Sequence, residues 1–313
     1  MVESDKTSET SETSETSGPD PLGGGIAAVL WRPGVLVLVV LVLVSTVLLP
    51  KVIDRLPELK VRPEYQLTRD AVEIIPSPPA WIPDEFVARA TGSDSWPREG
   101  TSILEPDVLQ RVSESFAARP WVAEVRAVER RVPAGVVVRL VYRQPVAWIE
   151  TAGSPVAVDV NGVRLPAGDL SGETATNYPV VRGVTSQPPS ADAVEWEDRG
   201  VVAAARLADE LKSHWEPFDL SVIVVQRDRD RVFLELLTHG GSRVVWGRPP
   251  GTRHPGELTV SQKLGRIMQF ISHFDSLDPP GGPFEINIRH WREIIYRPLN
   301  SESAQSLTLP VIR

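Results

Sequence analysis

The longest apolar run in the chain lies near its N-terminus, at residues 34–49. Together with residues 26–30, the run reaches the about 20 apolar residues that a helix needs to cross a bilayer. The pattern therefore predicts a single N-terminal transmembrane helix over residues 26–50. A cleaved signal peptide is one alternative, although no small-residue cleavage site follows the run. A buried core helix is another, although the run is apolar on every face.

After residue 70 the apolar positions follow shorter helix and strand periods. The second predicted helix places Val108, Val112 and Phe116 on one face, and the turn Pro133-Ala134-Gly135 separates two β-rich runs that predict a hairpin. The order over residues 70–145 is β-α-α-β-β, which is a small α+β unit. Its predicted elements are residues 71–75, 84–90, 103–116, 125–132 and 136–143.

Residues 146–299 are mostly strand-like, and they contain two amphipathic helices at residues 201–211 and 261–274. This pattern predicts a mostly antiparallel β domain with flanking helices. Polar composition assigns residues 1–25 to a disordered tail, residues 51–69 to a linker and residues 300–313 to a flexible tail. The predicted strands are residues 147–149, 156–159, 163–165, 220–225, 232–237, 243–246, 284–289 and 292–297.

Charge and cysteine content narrow the possible functions. The chain has no cysteine, so it has no disulfide framework and no thiolate metal site. Its net charge is −8, of which residues 1–25 carry −5, leaving −3 on the remainder. A nearly neutral remainder has no basic patch for nucleic acid. Basic residues near the apolar run are more frequent on its C-terminal side, and the positive-inside rule would then place the large C-terminal part in the cytoplasm.

No group of residues predicts catalysis or a cofactor. The five histidines, His214, His239, His254, His273 and His290, lack the spacing of metal ligands, and no nucleotide-binding or nucleophile motif occurs. Asp228 and Asp230 alternate with arginines, which is typical of a solvated turn. Most of the nine tryptophans lie near predicted elements, which favours a packing role. We therefore assign no catalytic residue, metal site or cofactor.

Several short motifs follow one another in a fixed order between residues 120 and 183. They are Pro120-Trp121-Val122, Val128, Arg130 or Arg131, Pro133, residues 136–141, Gln144-Pro145-Val146-Ala147-Trp148, residues 157–166 and residues 178–183. In this order they resemble the FtsQ/DivIB family of bacterial cell-division proteins. The chain departs from the family pattern at residues 75–83, where prolines replace a glycine turn, and at Asn287 and His290, where the family has an acid and a tyrosine.

The resemblance implies a POTRA domain over residues 70–145, followed by an FtsQ-type β domain over residues 146–299. It implies an inner-membrane protein whose N-terminus is cytoplasmic and whose residues 51–313 lie outside the cytoplasm. This orientation is opposite to the one that the positive-inside rule gave. The implied function is that of a non-catalytic divisome scaffold, which links septal cell-division proteins and regulates septal wall synthesis. The implied partners are the FtsB/DivIC and FtsL-type proteins, with other divisome proteins contacting the POTRA domain.

The last predicted strand is our candidate for partner binding. A strand at a sheet edge leaves backbone groups that an extended segment of a partner can pair with. We predict contacts from Trp291, Ile294, Ile295, Tyr296 and Leu299, and the alternative is that this strand lies inside its sheet. The strand at residues 71–75 is a second candidate edge. Two other functions stay open, a membrane-anchored POTRA protein of envelope biogenesis or secretion, and a wall-active or peptidoglycan-binding module.

Overall fold

A computed structural model describes residues 33–53, 62–170, 178–252, 254–299 and 307–310. The predicted disordered tail at residues 1–25 and residues 54–61 of the predicted linker lie outside these ranges. The chain divides into two units, Met1–Leu59 and Lys60–Arg313. In the described residues it is mostly β-sheet, with thirteen strands and five α-helices.

The first unit contains helix α1, Pro33–Ile53. In the part of the chain that the structure describes, no helix is long and apolar enough to cross a membrane. The predicted fold class, which begins with a transmembrane helix at residues 26–50, is therefore wrong. That prediction needed residues 26–30 to complete the span, and these residues lie outside the described ranges. The last turn of α1 contains the charged Lys51.

The second unit begins with a three-stranded sheet of order β1-β3-β2, in which β1 runs parallel and β2 antiparallel to β3. Val108, Val112 and Phe116 of α3 are fully buried against this sheet, as their predicted common face required. The predicted hairpin is confirmed by the pairing of β2 with β3. The elements are β1 (Val72–Ile75), α2 (Phe86–Thr91), α3 (Val108–Ala117), β2 (Val122–Arg131) and β3 (Gly135–Tyr142).

A ten-stranded sheet follows, in the order β13-β12-β11-β10-β9-β8-β7-β4-β5-β6. Three of its neighbouring pairs are parallel, β4 with β7, β7 with β8, and β10 with β11. Its strands are β4 (Pro145–Ile149), β5 (Val156–Asp159), β6 (Arg164–Leu165), β7 (Val180–Arg182), β8 (Leu220–Asp228), β9 (Arg231–Thr238), β10 (Arg243–Gly247), β11 (Phe284–Asn287), β12 (Glu293–Pro298) and β13 (Leu307–Pro310).

Two amphipathic helices form one core with this sheet, α4 (Arg199–Glu210) and α5 (Val260–Phe274). The buried residues of β8 to β12 recur at about every second position, as the alternation of side chains in strands requires. Helix α5 is capped at its N-terminus by Thr259, whose hydroxyl accepts the backbone N–H of Gln262, while the Gln262 side chain accepts the backbone N–H of Thr259. This reciprocal cap fixes the first turn of the helix that packs beside the C-terminal strands.

The two sheets share buried residues within the second unit. Ala157, Leu165 and Leu170 belong to the core of the three-stranded sheet, although two of them lie on strands of the larger sheet. In the described part of the chain, the backbone also forms the short 3₁₀ turns Pro63–Tyr65 and Ala167–Asp169. The small α+β unit is thus continuous with the large sheet through its core.

Candidate interaction edge

Strand β12 carries three of the five residues that the sequence assigned to partner binding. Ile294 is fully buried, so its side chain takes no part in an exposed surface. Tyr296 lies on the same face, with its ring 5.5 Å from Phe270 and 5.3 Å from Phe274. Ile295 is half-buried on the opposite face. Alternation along the strand therefore points Ile294 and Tyr296 into the helix layer and leaves only Ile295 on the other side.

The prediction that this strand forms a free edge of the sheet is wrong. Strand β12 pairs antiparallel with β11 on one side and with β13 on the other. The residue pairs with β13 include Ile294 with Leu309 and Tyr296 with Leu307. The C-terminal edge is instead β13, four residues that the sequence assigned to a flexible tail. The prediction failed because the backbone N–H and C=O groups of β12 on the side away from β11 pair with residues 307–310 of the same chain.

The remaining two predicted residues flank the strand. Trp291 lies in the connection before β12, is 58% exposed, and donates from its indole nitrogen to the carbonyl oxygen of Gly256 at 2.8 Å. Leu299 follows the strand, and its backbone N–H donates to the carbonyl oxygen of Pro283 at 2.8 Å. The structure thus brings one exposed aromatic side chain and one half-buried leucine to the two ends of β12.

Charged side chains cross the sheet on the face away from the helices. The guanidinium of Arg297 lies 3.1 Å from the carboxylate of Glu285. Arg243 lies 3.7 Å from Glu285 and 3.7 Å from Glu235. The four charges alternate in sign across β12, β11, β10 and β9. This face of the sheet is therefore polar, and its row of charges ends on β12, one strand from the edge strand β13.

Strand β13 is the site component that sequence reasoning missed. Three of its four residues are exposed, and Leu309 alone is half-buried against the core. Its last residue is Pro310, which has no backbone N–H to donate and is therefore typical of an edge strand. The alternation Leu307-Thr308-Leu309 was the available signal, but three residues between a polar segment and a proline are too few to separate a strand from a loop.

The second candidate edge, β1, lies at one side of the three-stranded sheet. Its residues are mostly half-buried, and it pairs only with β3 among the described strands. The exposed Glu73 forms an ion pair with Arg131 of β2 across the sheet face. This edge is therefore available to an extended segment, with one acidic side chain on its exposed face.

Polar contacts join the small sheet to the large one, and several involve the motif residues. The indole of Trp121 donates to the carboxylate of Asp169 at 3.0 Å, and Arg89 reaches the same carboxylate at 3.0 Å. Arg143 pairs with the buried Asp159 at 2.9 Å. A carboxylate with little exposure is stable only with such partners, so these contacts hold the two sheets in one unit.

An aromatic cleft of about 440 Å³ lies beside this junction, lined by Trp81, Tyr178 and Trp215 together with Lys212 and Asp209. The indole of Trp81 donates to a backbone carbonyl at 3.1 Å, which fixes one wall. Burial raises the pKa of the Tyr178 hydroxyl, so that it stays protonated and is able to donate a hydrogen bond.

Other perturbed groups have structural roles. Burial alone would raise the pKa of Asp198, but hydrogen bonds from Ser186, Arg227 and Gly200, with the charge of Arg227, hold it below its ordinary value. Asp198 is the N-cap of α4, where a carboxylate accepts the otherwise unpaired backbone N–H groups. Within the described ranges, no cluster of three or more histidine or acidic side chains could hold a metal ion.

Comparison with the models of known protein families gives no match to this chain, and comparison with curated proteins gives none either.

Proposed function

We propose that this chain is a non-catalytic scaffold of the bacterial division machinery that binds partner proteins at the C-terminal edge of its large sheet. The observation that carries the proposal is the edge formed by β12 and β13, where a ten-stranded sheet ends in a short, mostly exposed strand. An extended partner segment gains a continuous row of backbone hydrogen bonds by adding to such an edge.

The arrangement of the motif residues supports the same proposal. Trp121 belongs to the sequence pattern that resembles the FtsQ/DivIB family, and Arg143 adjoins it. Both side chains bind acidic residues of the following domain. A β-α-α-β-β unit joined to a large sheet presents two separated edges, β1 and the C-terminal edge, within one compact unit. Two such edges suit a protein that connects different partners.

The proposed partners at the C-terminal edge are the FtsB/DivIC and FtsL-type division proteins, with other divisome proteins at the small α+β unit. The alternating charges of Arg297, Glu285 and Arg243 lie on the open face beside this edge. Charges at the rim of an interface select among partners and raise the rate of association more than they add affinity. We propose that the protein acts outside the cytoplasm at the division septum.

The position of the protein in dividing cells tests the proposed function. A fluorescent protein fused to the N-terminus should form a band at the division site as the cell constricts. A uniform envelope signal through the whole cell cycle would contradict a role in division and favour the envelope-biogenesis alternative. Copurification of the FtsB/DivIC and FtsL-type proteins with the full chain should accompany the band.

The C-terminal edge is tested by reversing one charge beside it. Arg297→Glu replaces an exposed member of an ion pair and should weaken binding of the FtsB/DivIC-type protein about fivefold, because it reverses a charge that we propose the partner meets at the rim of this edge. The matched control is Arg182→Glu, which breaks the exposed ion pair with Glu150 in the middle of the same sheet. Equal effects of the two variants would argue against binding at the C-terminal edge.

A further inference from the structure

Strand β12 is built as an inner strand, while its neighbour β13 is weakly attached. β12 has the fully buried Ile294, and its Tyr296 packs among Phe270, Phe274 and Phe284 within 5.9 Å between ring centres. The four residues of β13 have one half-buried side chain, Leu309. Local opening takes little free energy where few apolar contacts are lost, so β13 should open long before β12 does.

Among the described residues, one side-chain hydrogen bond holds β13 from outside the strand. The amide nitrogen of Gln269 on α5 donates to the carbonyl oxygen of Pro310 at 2.8 Å. The other attachments are the backbone pairs with β12, and proline at the last position removes one donor from them. The strand therefore resembles a reversible cap more than a structural member of the sheet.

We propose that β13 is an intramolecular cap on β12, and that a partner strand binds by displacing it. This inference rests on the proposed function, because it names how the same edge is regulated. The residue pairing between β12 and β13 indicates what the partner segment must look like. It is an antiparallel strand with two apolar side chains two residues apart, which take the places of Leu307 and Leu309 opposite Tyr296 and Ile294.

Capping has two physical consequences. It covers the backbone groups of β12 when no partner is present, which protects the protein from edge-to-edge aggregation. It also lowers the apparent affinity by the fraction of molecules in which the cap is open. Because the cap belongs to the same chain, its local concentration is high and independent of protein concentration, so only a matched segment at high local concentration competes well.

The first test removes the cap. A chain that ends at Leu299 keeps the hydrogen bond from its N–H to Pro283 and lacks β13. We expect it to bind the purified FtsB/DivIC-type protein of the same host about tenfold more tightly than the full chain does. Gln269→Ala, which removes the single side-chain bond to Pro310, should give an increase in the same direction of about twofold.

The second test locks the cap in place. Ile295 and Thr308 are directly opposite in the β12–β13 pair, and the chain has no other cysteine to interfere. Opposite residues of antiparallel strands lie about 4.5–5.5 Å apart, within the range for a disulfide. In the doubly substituted Ile295→Cys, Thr308→Cys chain, oxidation should abolish binding that the reduced form of the same protein shows.

The outcomes separate the inference from the proposed function. Tighter binding by the truncated chain, with loss of binding on oxidation of the locked chain, supports capping. Loss of binding on truncation, with binding by the oxidised chain, means that the partner adds to the outer side of β13; this overturns capping and leaves the scaffold function standing. Equal binding by every form overturns capping and moves the partner to another surface. Absence of binding by every form, the full chain included, contradicts the proposed function itself.

Discussion

Replacing Asp198 with alanine should lower the free energy of unfolding by about 3 kcal/mol. The carboxylate is 4% exposed and accepts the backbone N–H of Gly200 at 2.6 Å at the start of α4. It also receives the guanidinium of Arg227 at 2.7 Å and the hydroxyl of Ser186. Loss of an N-cap costs about 1 kcal/mol, and loss of hydrogen bonds to a charged group costs about 1.5–3 kcal/mol.

The estimate stays near the lower end of that sum for a structural reason. The side chain of Arg227 is 38% exposed, so water solvates its charge once the carboxylate is gone. Urea unfolding followed by tryptophan fluorescence measures the change, and the indole of Trp196 donates to Ser186 in the same network at 3.0 Å. A change below about 0.5 kcal/mol would refute the reasoning, because it would mean that neither cap nor ion pair contributes.

A matched control and a pH profile sharpen this test. Asp107 is the N-cap of α3, but its side chain forms no capping hydrogen bond, so Asp107→Ala should change stability by less than about 0.5 kcal/mol. Because the pKa of Asp198 is lowered in the folded chain, its stabilising contribution is present above about pH 4 and is lost as pH falls through the folded value. The stability difference between wild type and Asp198→Asn should therefore shrink on acidification, and a constant difference would contradict the charge assignment.

Three further changes test other parts of the structure by urea unfolding. Lys263→Met should cost about 2 kcal/mol, because the mostly buried carboxylate of Glu257 loses its nearest cation and keeps only Arg248, which lies 3.9 Å away. Arg143→Ala should cost about 2 kcal/mol, because the buried Asp159 loses its charged partner at the junction of the sheets. Gly183→Ala should cost about 3 kcal/mol or more, because φ is +84° and a Cβ would lie 2.3 Å from a carbonyl oxygen of β8.

Each of these changes has a control elsewhere in the chain. Lys212→Met replaces an exposed lysine, and Arg182→Ala breaks an exposed ion pair, so both should change stability by less than about 0.5 kcal/mol. Gly251→Ala has a similar φ of +80° but open space around its Cβ, so it should cost only about 1 kcal/mol of backbone strain. Equal losses at a test site and its control would contradict the contact assigned there.

The apolar pattern by itself determined most individual elements of the second unit. The helix with Val108, Val112 and Phe116 on one face is present at Val108–Ala117, and the hairpin around Pro133-Ala134-Gly135 is present as β2 and β3. Both depend on properties of a single segment, namely the period of its apolar side chains or the residues of its turn. Such properties are determined by residues that are close in the sequence.

The same local reasoning was wrong for the apolar run near the N-terminus. Apolarity over residues 34–49 indicated a helix, and a helix is present at Pro33–Ile53. The wider span that a membrane crossing needs was assembled from residues 26–30 across Arg32 and Pro33, and residues 26–32 lie outside the described ranges. Composition thus predicted a helix here, but within the described residues no helix meets the requirement for a membrane crossing.

Only the tertiary structure decided which strands are neighbours and where the sheet ends. A strand was predicted over residues 292–297 and is present at Glu293–Pro298, but its position inside the sheet depends on Leu307–Pro310 pairing with it. Those four residues have little strand preference of their own, and they become a strand because β12 offers unpaired backbone groups and a place for Leu309 beside the core. Strand formation depends on the available neighbour as much as on the segment, so the sequence determined the elements and tertiary pairing determined the edge.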